Sequence, residues 1–229
     1  MGRRSAAARR GLVRALLMQK TYPELLGLNV DDPEDWFPWF VASSLFAKPI
    51  SAAAARVTAL LLFKERIVSP AAIERCGWEG LVTILDLGGY VRYDFSTATK
   101  LLAIAAALPG DRLRRIVTGA VSAKDVVEQL TEIKGVGSKT VQIFLRELKG
   151  VGGPQIPLSD EARAAAKRLR LKESDWAGRD RSRIEGILVR IWIEHCRRGR
   201  WQTCPAGAMC RCAPKASRLV AAHSLQKQH

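Results

Sequence analysis

The chain has 229 residues, of which 48% are hydrophobic and 26% charged, the balance of a folded protein with one or two domains. Its 37 Lys and Arg against 22 Asp and Glu leave a formal charge of +15, which favours a polyanionic partner, nucleic acid before membrane. No apolar run approaches the roughly 18 residues of a membrane span, and five cysteines are too few and too unevenly placed for a disulfide framework, so a reduced cytoplasmic protein is expected, nucleoid-associated if the source is prokaryotic.

In chain order, the first segment, MGRRSAAARRGLVRALL, faintly resembles an organelle transit peptide but reads better as a basic first helix. Helical spacing follows over Arg9–Gln19, Trp36–Phe46, Ala52–Phe63, Trp78–Leu85, Thr97–Ala107, Ala123–Thr131, Val141–Leu148, Glu161–Leu169 and Arg183–His195. Asp32-Pro33, Ser69-Pro70, Pro109-Gly110 and Gly152-Gly153-Pro154 punctuate these runs, and no segment alternates as a half-buried strand does. An all-α fold of two helical domains is expected. One spans residues 32–153; the other joins 1–31 to 154–229 and ends in a cysteine-rich tail.

The most informative stretch is Leu130–Leu148, LTEIKGVGSKTVQIFLREL, in which Gly135-Val136-Gly137 interrupts two helices and Lys139 follows just inside the second. Glycines let a backbone turn tightly and approach a ligand closely. The helix start beyond them offers N–H groups and a positive dipole end to a phosphate. A nucleotide-binding phosphate loop is excluded, because Ser138 rather than glycine precedes Lys139 and no strand leads in.

Ile133-Lys134-Gly135-Val136-Gly137-Ser138-Lys139-Thr140 resembles the hairpin of the endonuclease III branch of the helix-hairpin-helix DNA glycosylases. The family's hairpin leads through a Gly/Pro-rich loop to an aspartate that opens the next helix. Gly150 to Asp160 repeats that order, with Asp160 a residue or two further on than usual and Glu161-Ala162 where relatives often have Thr-His. Ile84-Leu85-Asp86-Leu87-Gly88-Gly89-Tyr90, followed by Arg92, resembles the family segment that packs into the opened duplex. Phe40–Ala47 resembles its Leu-Ser-x-Gln helix, with Phe46 near the place of the glutamine. The likeness runs from about residue 36 to 212.

The resemblance implies a monomeric bifunctional DNA glycosylase and abasic-site lyase acting on duplex DNA with a damaged base or an abasic site, and no membrane partner. The base is flipped out of the stack, and a lysine amine attacks C1′ to give a Schiff base. It implies Lys139 as nucleophile, Asp160 as the carboxylate that stabilises the developing sugar cation, and Gly135, Val136, Gly137, Ser138, Thr140, Tyr90 and Arg92 as DNA contacts. Relatives bind a 4Fe-4S cluster in the tail, with spacing Cys-x6-Cys-x2-Cys-x5-Cys. Here Cys196, Cys204, Cys210 and Cys212 keep the count but not the pattern, and Trp201 stands at the second ligand's place. A cluster, a zinc ion and a metal-free tail all stay open. So do plainer uses of the other residues: Lys139 as a solvated helix lysine, Asp160 as an N-cap, Tyr90 and Phe46 as core aromatics, Arg92 as an exposed side chain. The alternative function is a non-catalytic hairpin protein that binds DNA through phosphates alone.

Overall fold

Eleven helices follow one another among the described residues of the computed structural model, which are 6–149, 158–177, 180–207 and Cys210, and no strand occurs among them. The helices are α1 (Ala6–Leu17), α2 (Tyr22–Leu25), α3 (Trp36–Phe46), α4 (Ala52–Lys64), α5 (Pro70–Leu87), α6 (Asp94–Ala107), α7 (Arg112–Gly119), α8 (Ala123–Thr131), α9 (Ser138–Glu147), α10 (Asp160–Leu169) and α11 (Arg181–Glu194). The all-helical expectation holds for these residues. Helix starts follow local chemistry: Ser51, Ser69, Ser122 and Asp180 each accept from a backbone N–H of the first turn. Ser122 and Asp125 complete a reciprocal capping box.

Three elements differ from the periodicity. The expected helix at Trp78–Leu85 is the second half of α5, broken at Gly77, whose φ of 68° and ψ of 175° suit glycine alone. α2 has four residues, too short for a repeat to show. α7 buries only Leu113 and Val117, so its apolar stripe is two residues long amid arginines.

The chain separates into two units, Leu26–Ile156 and the pair of segments Met1–Leu25 with Pro157–His229. In the contiguous unit, α3 is the central element, with every residue from Phe37 to Leu45 buried. Trp39 donates from its indole to the Phe144 carbonyl of α9 at 3.1 Å, and Phe40 meets the Phe144 ring edge-on at 5.1 Å. The aromatic run Trp36–Phe40 thus packs between helices, Trp36 being tied by its indole to the Val30 carbonyl at 2.9 Å. α5 lies along α6, and Gly88 at the end of α5 touches α4.

In the second unit, Leu12, Val13 and Leu16 of α1, Ala162, Ala165 and Leu169 of α10, and Ile184, Ile187 and Ile191 of α11 form one core. Two ion pairs fasten the N-terminal segment to it. Arg9 binds Asp175 at 2.8 Å, and Arg183 holds Glu24 while also donating to the Leu17 and Gln19 carbonyls. Burial opposes the charge on Asp175, but the Arg9 guanidinium and the Lys172 N–H outweigh it and hold the carboxyl below its ordinary range.

A Cβ added at Gly88 would stand 1.9 Å from Thr58 Oγ1 and 2.8 Å from Thr58 Cα. Gly88→Ala is therefore expected to destabilise the contiguous unit by about 1–3 kcal/mol, whereas Gly119→Ala, which meets nothing within 4 Å, leaves it nearly unchanged. Urea unfolding of the two variants measures the contrast.

Candidate functional site

Between α8 and α9 the chain turns over Ile133–Val136, closed by the Val136 N–H donating to the Ile133 carbonyl at 2.9 Å. Gly135 takes φ of 84°, a left-handed value that a side chain strains to adopt. Gly137 is extended and forms the N-cap of α9, so no side chain covers the helix start. Its carbonyl receives the Thr140 N–H at 2.9 Å and opens the helix.

The turn has an outer and an inner side. Lys134, Gly135, Gly137, Ser138 and Lys139 are exposed, with Lys139 the second residue of α9. Val136 and Thr140 point inward, 5% and 2% exposed. Thr140 therefore does not offer its side chain to an outside ligand: its hydroxyl faces Lys100 and its N–H is used within the helix. Val136 likewise anchors the turn through its buried side chain.

Tyr90 also points inward. It is fully buried, and its hydroxyl donates to the Leu45 carbonyl at 2.7 Å, a bond that ties the end of α5 to the end of α3. Burial pushes its phenol far above the ordinary range. The side chains that reach the surface in this segment are its neighbours, Val91 at 70% exposure and Arg92. The Arg92 guanidinium lies 5.8 Å and the Lys48 ammonium 5.5 Å from the centre of the Tyr93 ring. Phe46 is half-buried, its ring 6.2 Å from that of Trp39.

Asp160 belongs to the other unit, as the first residue of α10, with its side chain 90% exposed. The N-cap is Ser159, and no side chain caps the helix there. The capping use of Asp160 is thus not realised; its carboxylate pairs with Arg163 one turn on, an exposed contact of small energetic weight. The backbone ahead of it is held from behind, by the Ser159 N–H on the buried Glu185 carboxylate at 2.8 Å and Arg163 on the Leu158 carbonyl at 2.7 Å. The loop Gly150–Pro157 lies outside the described residues.

Cys196, Cys204 and Cys210 are buried in the hydrophobic core of that unit, at 6%, 6% and 2% exposure, and Trp201 is partly exposed. Cys212 lies outside the described residues. Among the described residues no three His, Cys, Asp or Glu side chains are grouped to hold a metal ion.

Sequence reading passed over Lys100. It lies on the apolar face of α6 with Thr97, Leu101 and Ile104, at helical spacing that would have exposed the anomaly of a lysine there. The side chain is 8% exposed, and its ammonium donates to Thr140 Oγ1 at 3.2 Å and lies 3.5 Å from the Ser44 carbonyl in the last turn of α3. A cation at a helix C-terminus meets the negative end of the dipole. Burial, reinforced by Lys48, nevertheless lowers its pKa to about 8.

No family model, curated protein or solved structure matches this chain. No helix among the described residues is long and apolar enough to cross a membrane.

Because the folded state lowers the Lys100 pKa from 10.5 to about 8, the unfolded chain binds the proton more tightly. This group's contribution is least favourable below pH 8, and stability rises from it as pH climbs between those values. Lys100→Met is expected to stabilise the protein at pH 7, on the order of 2–3 kcal/mol, with the gain shrinking toward pH 10. Urea melts of both proteins at pH 7, 8.5 and 10 check the magnitude and the trend.

Proposed function

We propose that the chain is a base-excision DNA repair enzyme, a glycosylase and abasic-site lyase with Lys139 as its nucleophile. The observation that carries the reading is the placement of Lys139 on the first turn of α9, exposed directly after an exposed glycine turn whose other side is buried. The turn and the uncapped helix start suit a phosphate of the DNA backbone, which fixes position without reading sequence. Arg92, Ser138 and Lys134 add exposed groups for further backbone contacts.

The chemistry assigned to Lys139 begins with its neutral amine. Its nitrogen forms a bond to C1′ of the flipped nucleotide while the bond from C1′ to the base breaks, and the base leaves with a proton. Ring opening gives the Schiff base. Loss of a C2′ proton then expels the 3′ phosphate and cuts the strand. Asp160 is assigned the electrostatic role, stabilising positive charge as it develops on the sugar; its 90% exposed side chain is accessible for this. The competing reading, a hairpin that binds phosphates and does no chemistry, needs the turn but neither Lys139 nor Asp160.

The same reading includes a structural centre in the tail, a 4Fe-4S cluster or a zinc ion held by Cys196, Cys204, Cys210 and Cys212. Four thiolates suit either, and the burial of three of them would shield it from water. No step of the reaction depends on it.

Borohydride with abasic duplex should trap a covalent complex, and Lys139→Ala should abolish it; trapping undiminished in the variant moves the nucleophile elsewhere, and none in wild type favours the binding module. Asp160→Asn should keep DNA affinity while losing most base excision, by about a hundredfold or more, and equal losses of both would assign it to structure. Affinity should fall with salt to an exponent of about 4 to 6, read by fluorescence anisotropy. Protein purified without air should contain iron with sulfide, or zinc, and lose it on Cys212→Ala, as elemental analysis will show.

A further inference from the structure

The buried ammonium of Lys100 has no carboxylate partner among the described residues; its hydrogen-bond acceptors are the hydroxyl of Thr140 and the carbonyl of Ser44. Its stem runs beneath the glycine turn, where a Cβ at Gly135 would stand 3.2 Å from Lys100 Cγ. The side chain therefore occupies the space that any larger residue at 135 would need, while its tip grips the first turn of α9. Lys48 repels the ammonium, and the Tyr90 hydroxyl, nearby on the Leu45 carbonyl, stays protonated. α3 brings no ionisable side chain. α9 faces it with Thr140, its Lys139 being exposed and its Arg146 paired with Glu147. Asp94, on the same helix as Lys100, accepts from the Phe95 N–H. An apolar residue of the same length would be the more stable occupant of such a place.

We propose that Lys100 is the positioning residue of the glycine turn, holding Gly135 and Thr140 so that Lys139 projects from a fixed first turn, and that loss of its proton loosens this hold. Charge-assisted hydrogen bonds are about twice as strong as neutral ones, so the grip weakens once the amine is neutral, around pH 8. The effect on Lys139 rests on the proposed lyase reading; the hold on Gly135 and Thr140 does not.

The test uses the full chain, 15N-labelled, as wild type, Lys100→Met and Lys100→Arg, between pH 6.5 and 9.5. Amide resonances of Gly135 and Thr140 in wild type should follow one titration with its midpoint near 8, absent from K100M and from K100R, whose guanidinium keeps its charge. On abasic duplex, the borohydride-trapping rate of saturated K100M should fall about tenfold to a hundredfold with the dissociation constant unchanged, and K100R should recover part of it at pH 9. Amides that do not titrate in wild type, or that titrate equally in K100M, overturn the proposal, as does trapping in K100M at the wild-type rate. A wild type that titrates as expected but never traps overturns the lyase reading and upholds the positioning role.

Discussion

The carbonyl end of α3 is where the contiguous unit is tied together. The last carbonyls of a helix have no partner within it, and here they are answered from other parts of the chain. Tyr90 gives its hydroxyl to Leu45, and Lys100 brings its ammonium to Ser44. From the middle of the same helix, Trp39 reaches the Phe144 carbonyl of α9 and Phe40 packs on the Phe144 ring. α9 and the turn before it thus inherit their orientation from a helix with no exposed face. A surface turn is held in one geometry by buried groups that never touch what lies outside.

The charge of the protein is arranged on two levels. At the surface, excess lysine and arginine provide the long-range attraction that a polyanion would feel. Other cations have specific tasks: the half-buried Arg9 and Arg183 fasten the N-terminal segment to its unit, and the buried Lys100 takes hydrogen-bond acceptors in place of a counter-ion. Neighbouring chemistry separates the two aspartates that matter most. Asp175, 6% exposed in its side chain, is fixed by an arginine from a distant part of the chain. Asp160 pairs, among the described residues, with Arg163 on its own helix and remains open to water.

Much of the helical framework was legible because each long helix carries a repeat of apolar positions together with a serine, aspartate or proline at its start. Trp36–Phe46 and Ala123–Thr131 have the same bounds in sequence and structure. What escaped lacks such a signal. α2 is a single turn, α7 buries two residues, and the break at Gly77 looks in sequence like any glycine in a helix. The glycine turn and the exposure of Lys139 were readable, since they follow from local backbone chemistry. The inward aim of Tyr90 and Thr140 was not, because it depends on which distant carbonyl or amine lies opposite. Lys100 was legible in principle: periodicity alone places it among Thr97, Leu101 and Ile104.

The unit that carries the glycine turn is one uninterrupted stretch of chain, Leu26–Ile156, while the other is assembled from both flanks of it. During synthesis the contiguous unit is therefore complete while α10 and α11 have yet to be made, and domains form in the order in which their parts emerge. α1 must wait, its apolar face of Leu12, Val13 and Leu16 bare, for about 170 further residues before α11 arrives to cover it. The arginines around that face help to keep a stranded helix in solution during the wait. Helices α10 and α11 thus complete the burial of α1.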